Sequence, residues 1–512
     1  MTAQSPYSKE SVKRSFLHFL VGRGVAGLAG FVTVILMARY MDIKSYAGFT
    51  ALTGLIAFAG ILSSLGIERV VARYLPEARL QKSPQQIAQL IWTLAAVRLL
   101  ASALMCGCLY LAWPLLMQWF KDVELTHFPI ALTCFVIAES LFQYFSAVYQ
   151  SLAQQKSLTQ IMVIQWAGRL LMLWIALYAD HQLSLEEALW MMALPEMLSI
   201  IALVWVQRWH IKHIPEHPSQ TTTLWPDWKA MRHMALHNYG FTLLAAPPQG
   251  YFVKMLAAIF LPTQMVAAYG FFVSLAEKAR QYIPLHFFYN LIEPVMVGNY
   301  LQHKDFNKLT KFCQWLYKSN LLILVPAIVW IAVAGSHLVD LLTAGKYHSY
   351  VWILLLVMVQ LTIGSHVVLL QLILNAINKS VWLMRAGVFA LFGLLLFWFV
   401  ALPLQPSTLF FGPVLFSLVC NIYIIRKLNH SGYAYGLTWQ VFTGVLAAGV
   451  AALLVALLVS QQWFTEYSND MWVTALAGLV VLSVYLLTVY LLKLISQEEW
   501  LFLKSFKQKK SV

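Results

Sequence analysis

Charge is what this chain has least of. Asp, Glu, Lys and Arg together make up 11% of its 512 residues, against ~25% in an average soluble domain. A soluble enzyme of this length needs a polar shell that so few charges cannot supply, and its core could not hide the apolar remainder. Cysteine is scarce too. Cys106, Cys108, Cys134, Cys313 and Cys420 all lie in apolar runs and none forms a CxxC pair. That excludes a disulfide-rich module and reads as five small buried apolar residues, with no metal and no cofactor expected. A Walker A sequence is missing: Ala344-Gly345-Lys346 has Asp340 where the first glycine should stand. Long polar connections are missing as well. The longest, about 208–236, is too small for a catalytic domain.

What is present is apolar. Hydrophobic residues make up 60% of the chain, with 19 Trp, 23 Tyr and 30 Phe, and the mean hydropathy is +0.69. The solvent for most of this protein is therefore lipid. A bilayer-crossing helix needs ~20 mostly apolar residues. On that template the chain reads as an all-α polytopic membrane protein of about 14 transmembrane helices, at 15–38, 46–67, 87–113, 128–151, 158–179, 188–207, 237–260, 266–289, 313–334, 349–374, 380–402, 407–425, 437–460 and 471–493. Membrane-barrel strands would alternate polar and apolar residues, and these runs do not. Lys9, Lys13 and Arg14 precede an apolar run too long for a signal-peptide core, so the first run reads as an uncleaved span.

The net charge of +14 gives the orientation. With the N-terminus inside, the inside connections hold Arg69, Arg73, Arg79, Lys82, Lys156, Arg208, Lys212, Lys229, Arg232, Lys304, Lys308, Lys311, Lys318, Lys379, Arg426 and Lys427, and the tail adds Lys504, Lys507, Lys509 and Lys510. The outside connections hold only Arg39, Lys44, Lys121 and Lys346. This positive-inside bias places both termini in the cytoplasm. The basic tail reads as an anchor near anionic lipid, with no nucleic-acid role.

An internal resemblance links the two halves. Leu36 begins LMARYMDIKSYAGFTAL and Leu256 begins LAAIFLPTQMVAAYGFFVSL. With a two-residue gap, Tyr46-Ala47-Gly48-Phe49 meets Ala268-Tyr269-Gly270-Phe271. Two six-helix lobes in a parallel repeat follow, at 1–207 and 237–426. The segment 208–236, with Trp209, Trp225 and Trp228, would link them along the membrane surface. Residues 427–512 add two C-terminal helices and the tail. Pro247-Pro248, Pro284 and Pro326 interrupt spans 7, 8 and 9, since proline removes a backbone donor and clashes with the preceding turn. For the double proline, an ordinary kink and a bent, cavity-lining span both fit. Gly22, Ala26 and Gly30 form a close-packing face on span 1.

Ionisable residues within the spans carry the functional signal. The basic ones are Arg23, Arg98, Arg169, Lys254, Lys278, Arg280 and Arg385; the acidic ones are Glu139, Glu196 and Glu277. One Lys, Arg or Asp at a helix centre costs ~2.5–3.5 kcal/mol on the insertion scale, so these groups face a water-filled interior or each other. Arg385 lies near enough to an edge to snorkel, and Arg23 fits either snorkelling or a cavity. Glu277 and Arg280 are three apart and can meet on one helix face. Arg98 and Arg169 can pair with Glu139 or Glu196. The surplus is positive, which focuses potential on an anion, and Arg and Lys are the usual partners of phosphate. The residues read as a carrier for an anionic, phosphate-bearing substrate.

The stretch GRGVAGLAGFVTVILMARYMDIKSYAGFTAL and the following SLGIERVVARYLPE resemble the start of bacterial polysaccharide transporters. These are the O-antigen and exopolysaccharide repeat-unit flippases of the multidrug/oligosaccharidyl-lipid/polysaccharide exporter superfamily. Ala38-Arg39-Tyr40, Tyr46, Gly48, Leu65-Gly66 and Arg73-Tyr74-Leu75-Pro76 carry the resemblance. It implies a bacterial inner-membrane protein that moves an undecaprenyl-diphosphate-linked oligosaccharide to the periplasmic leaflet. Two lobes enclosing a cationic cavity would alternate between inward- and outward-open states. The related lipid II flippases keep basic residues in spans 1 and 8, the spans that hold Arg23, Lys278 and Arg280 here. On this reading Arg23, Lys254, Lys278 and Arg280 hold the diphosphate, and Arg98 and Arg169 extend the cavity or brace it. Glu139, Glu196 and Glu277 serve ion coupling or structural pairing. A polysaccharide polymerase and co-polymerase in the same membrane are the implied partners, beside membrane lipids. Two rivals remain: an exporter of small amphipathic molecules with the same fold, and a membrane enzyme such as a polymerase or ligase. The absence of an acidic residue in span 1 counts against drug–cation antiport. The short outside connections count against the enzyme.

Overall fold

The structure is a computed structural model. It describes residues 9–120, 128–180, 182–213, 227–286, 300, 304–377, 379–436, 439–463, 470–496 and 499. The expected Lys121, Trp225 and basic tail lie outside these residues, as does the middle of the 208–236 segment.

Among the described residues the protein is built of α-helices with short 3-10 turns. The chain runs α1 (Lys9–Tyr40), α2 (Ile43–Leu62), α3 (Ile67–Gln81), α4 (Pro84–Trp119), α5 (Ile130–Ser151), α6 (Gln155–Asp180), α7 (Leu185–Lys212), α8 (Trp228–Leu244), α9 (Gly250–Phe260) and α10 (Thr263–Arg280). It continues through α11 (Phe306–Thr343), α12 (Val351–Ala376), α13 (Ser380–Ala401), α14 (Gly412–His430), α15 (Trp439–Trp463) and α16 (Asp470–Leu491). Eleven of the helical stretches are long and apolar enough to cross a membrane, and Gly24–Tyr40 and Gly250–Phe260 are shorter apolar helices. Their outer faces carry bare apolar side chains. Leu111, Phe392 and Phe399 are among the most exposed residues of the molecule, an arrangement that only lipid makes favourable. The protein is a polytopic, multi-pass membrane protein.

Each expected span has its helix, with two differences. Span 7 is two helices: α8 stops at Leu244, Pro247-Pro248 forms the turn, and α9 starts at Gly250. Two consecutive prolines remove two donors at one place, more than one kink absorbs. The residues after span 2, expected to be a basic connection, form the amphipathic helix α3. Its Ile67, Val70, Val71, Leu75 and Ala78 are buried at helical spacing while Arg69 and Arg73 face outward. Gly66 opens it with a left-handed backbone, φ +73°. A Cβ there would run into the Ala235 carbonyl on α8, so glycine is required twice over.

The other prolines act less directly. α10 ends at Arg280, four residues before Pro284. The backbone N–H of Leu285 just beyond is taken up by Asn320 Oδ1 of α11 at 3.0 Å, which satisfies a donor that lipid could not. Pro326 stays inside α11, whose irregular backbone comes at Ala334 (φ −123°, ψ 15°). Lys318, counted above among the inside connections, lies in α11 instead. It is buried, and its Nζ meets Glu499 Oε2 at 2.7 Å.

Packing divides the chain into two compact units. One comprises Met1–Leu275 with Leu402–Leu409, the other Ala276–Ala401 with Phe410–Val512. In the first, α1 packs along α6, α5 along α7, and α2 along α9. The close-packing face of α1 is used here: a Cβ on Gly22 would overlap Thr159 of α6. The core beneath α3 includes Tyr144 and Tyr149, whose hydroxyls donate to the carbonyls of Ile91 (2.6 Å) and Leu203 (2.7 Å). In the second unit, α11 packs against α12, α15 and α16, and α14 against α12 and α13.

The two related hairpins are in register without the expected gap. Tyr40 and Phe260 end their first helices, and Ile43 and Thr263 begin the second, each pair 220 residues apart. The closing hydrogen bonds keep the same offset: Met41 N–H to Met37 O and Leu261 N–H to Ala257 O. Asp42 caps α2 by accepting from the backbone N–H groups of Lys44 and Ser45, both at 2.9 Å. Burial alone would raise its pKa; the hydrogen bonds from Ser45 and Lys44 outweigh this and hold the carboxyl below its ordinary value.

Candidate functional site

In the first unit the charged residues of the spans form a connected network. Arg98 on α4 is 0% exposed. Its Nη2 lies 3.1 Å from Glu68 Oε1 of α3, and its Nε–H donates to the Ser140 carbonyl of α5 at 3.3 Å. Ser140 is tied further: its hydroxyl accepts from Ser102 Oγ at 2.6 Å. Arg169 on α6 pairs with Glu196 Oε2 of α7 at 3.0 Å and donates to the Met192 carbonyl at 3.3 Å. Its guanidinium also lies 4.5 Å over the Trp166 ring. Glu139 and Gln165 stand within hydrogen-bonding reach of the same Glu196 carboxyl, and Glu139 Oε1 accepts from Gln143 at 2.7 Å.

Of the two expected partners, Glu196 meets Arg169, but Arg98 turns to Glu68 instead. Glu68 lies just past the end of span 2, and only the folding back of α3 brings it against α4. Both arginines are paired on several sides and shut away from any open surface. In this conformation they join helices.

Lys254 lies in α9, in the turn after the proline break. It is buried, and its Nζ donates to Ser274 Oγ of α10 at 3.1 Å. Arg23 lies on α1, and its side chain is outside the described residues.

The second unit begins within α10, whose end carries Glu277, Lys278 and Arg280. Lys278 is half-buried, and Glu277 and Arg280 are exposed. Arg280 acts on Glu277 only through space; its hydrogen bond goes to His286. Arg280 Nε–H donates to His286 Nδ1 at 3.2 Å. A ring nitrogen that accepts holds no proton, so Nε2 is the protonated one. It donates to Ser365 Oγ of α12 at 3.0 Å, and Ser365 donates to the Leu361 carbonyl at 2.7 Å. The relay aims the guanidinium through uncharged hydrogen-bond partners, while the Glu277 carboxylate acts on it only through space. Next to Ser365, His366 donates from Nδ1 to Asn421 Oδ1 (2.9 Å) and accepts at Nε2 from Tyr435 (2.9 Å). Its ring also lies 4.7 Å from that of Tyr317.

His286, Ser365 and Glu68 were absent from the sequence reading. For His286 the only signal in the sequence is a lone imidazole in an apolar run, and for Ser365 and Glu68 there is none.

Comparison with known proteins finds one family model and several solved structures that resemble the chain. Residues 12–246 match the family model described as polysaccharide biosynthesis protein. The matched segment includes Arg23, Arg98, Arg169, Glu139 and Glu196, and it ends just before the double proline. Over the whole length the fold is that of a solved lipid II flippase, MurJ in an inward closed conformation, with a TM-score of 0.68 at 11% identity over 92% of this chain and 98% of that one. Two multidrug transporters of the MATE type share the fold more distantly. One is a mutant of the Vibrio cholerae transporter VcmN (TM-score 0.52, 15% identity, 82% of this chain and 98% of that one). The other is an inward-facing MATE transporter of the MOP superfamily (TM-score 0.54, 13% identity, the same coverage). No curated protein sequence matches the chain.

Proposed function

We propose that this protein is a flippase for an undecaprenyl-diphosphate-linked oligosaccharide, an O-antigen, capsule or exopolysaccharide repeat unit, in the bacterial inner membrane. The observation that carries the reading is the Arg280 relay. A guanidinium within span 8 is held in place by a hydrogen-bonded chain of neutral groups, two residues from Lys278 and three from Glu277. Lys278 and Arg280 against the one Glu277 carboxylate leave this turn positive, and a diphosphate between sugar and lipid is the complement of that charge. The polysaccharide family match and the flippase fold agree with a lipid-linked substrate.

In this reading Arg23, Lys254, Lys278 and Arg280 bind the diphosphate. Arg98 and Arg169, paired as they are, brace the N-terminal helices. Two six-helix lobes, 1–207 and 237–426, alternate in access, with both termini cytoplasmic. The Glu139–Glu196 pair and Glu277 are the places where an ion would couple. The work is transport without covalent chemistry, beside a polymerase and co-polymerase in the same membrane.

The test is a double Lys278→Ala, Arg280→Ala variant in the native host. Surface polysaccharide falls to background while the protein stays in the membrane at wild-type amount. Full export by that variant overturns the assignment. Drug resistance conferred by the wild type, together with normal surface glycan in a deletion strain, points to small-molecule export instead.

A further inference from the structure

A second cationic feature lies on α13 and α14 of the second unit. A cavity of about 450 Å³ opens there, lined by Phe389, Val419, Ile422, Tyr423, Arg426, Lys427 and His430. Its lining residues on α14 fall on one face. Val419, Tyr423 and Lys427 are four apart, as are Ile422, Arg426 and His430. From Val419 to His430 the wall is roughly 16 Å long at 1.5 Å per residue. The far part is apolar, with Phe389 and Tyr423 forming a tilted ring pair at 5.4 Å. The near part is basic. Arg385, exposed, stands one turn from Phe389 toward the same end. Lys427 and Lys379 lie 5.7 and 5.9 Å over the Trp382 ring, an aromatic anchor of the kind found at headgroup level.

Among the described residues no carboxylate pairs with these cations. From residue 341 to residue 465 the sequence contains no Asp and no Glu. Snorkelling accounts for one arginine at a membrane edge. It does not account for a groove whose apolar wall leads to a cluster of positive charge. That combination matches an amphiphile with an acyl chain and an anionic head. Basic pockets between membrane helices on the cytoplasmic side take anionic lipid headgroups by this means.

We propose that the α13/α14 groove is a binding site for an anionic phospholipid of the cytoplasmic leaflet. Arg426 and Lys427, with Arg385 beside them, hold the headgroup phosphate, and one acyl chain lies along Val419, Ile422, Tyr423 and Phe389. The lining favours a phospholipid over the glycan-bearing substrate. Among the described lining residues, the Tyr423 hydroxyl is the one side-chain hydrogen-bonding group offered to a sugar beyond the basic end. The proposal stands apart from the flippase reading, since none of its residues belongs to the diphosphate set.

The test uses the full chain purified in mild detergent and examined by native mass spectrometry and thermal unfolding. Phosphatidylglycerol and phosphatidylcholine are supplied in equal amounts. The wild type retains phosphatidylglycerol at least tenfold over phosphatidylcholine and unfolds at higher temperature with it. Arg426→Gln with Lys427→Gln loses that preference, while its unfolding in phosphatidylcholine matches wild type. Val419→Trp fills the groove, leaves the charges in place, and loses retention as well. Undiminished preference in the double variant overturns the proposal. So does full retention in Val419→Trp, which would reduce the effect to surface charge, or displacement of phosphatidylglycerol by sub-stoichiometric undecaprenyl phosphate, which would assign the groove to the substrate's own lipid.

Discussion

Arginine has two different uses in this protein, and its surroundings separate them. Arg98 is enclosed by Glu68 and the Ser140 carbonyl, whereas Arg280 is exposed and aimed by a neutral imidazole. Breaking a buried pair leaves a charge stranded in a medium that cannot solvate it. Glu68→Met strands the fully buried Arg98 and therefore lowers the unfolding temperature, by a destabilisation on the order of 3 kcal/mol. Arg98→Met combined with Glu68→Met recovers most of the loss, because two apolar side chains of similar volume replace the pair. Thermal unfolding in detergent measures both. A double variant no more stable than the single one would show that the pair is not what holds α3 to α4. Lys278→Ala with Arg280→Ala, by contrast, removes export without a comparable change in unfolding.

At the scale of helices, the α1–α2 and α9–α10 hairpins are the best-defined relation in the chain. Each has a two-residue connection, and a shared offset of 220 relates their ends. Thr50 and Gly270 are equivalent by that offset, and they also touch: a Cβ on Gly270 would overlap the Thr50 side chain. Gly54 is similarly close to the Tyr251 carbonyl and to Lys254. The substitution Gly270→Ala overpacks this contact and costs about 1–3 kcal/mol. Thr50→Gly in the same chain relieves it, as unfolding temperatures of the two variants will show. Equal instability with and without Thr50→Gly would mean that the contact is not the cause. The hairpin also explains why a gap looked necessary in the sequence. Tyr46-Ala47-Gly48-Phe49 and Ala268-Tyr269-Gly270-Phe271 are similar in letters but shifted by two positions in the fold. Small and aromatic residues occur at several positions of a tightly packed helix, so letter similarity alone cannot choose the register.

For the whole molecule, the distribution of Lys and Arg carries the proposed orientation. It predicts that Gln182→Cys, on a background without the five native cysteines, reacts with a membrane-impermeant maleimide added outside. Ser431→Cys reacts only after the membrane is opened. The reverse pattern would invert the protein and move the basic end of the α13/α14 groove to the other leaflet. Compactness follows a different logic from the repeat. α8, α9 and the start of α10 pack with the N-terminal helices, because the proline break lets α9 lie along α2.

Fold class, the approximate positions of the spans and the breaker at Pro247-Pro248 were all legible in the sequence. Each depends on local quantities, namely hydropathy over ~20 residues and the missing proline N–H. Most membrane-embedded charges were legible for the same reason, since a single ionisable residue stands out in an apolar run; Lys318, close to the basic edge of its span, did not stand out. Their roles were not. Whether an arginine braces helices or stays open to a ligand depends on which distant residue meets it. Glu68, His286 and Ser365 reach Arg98 and Arg280 only through the packing of α3 on α4 and of the segment after α10 on α12. Charge in lipid must find a partner, and the sequence by itself determined that necessity. The choice of partner is a long-range contact, and only the tertiary structure decided it.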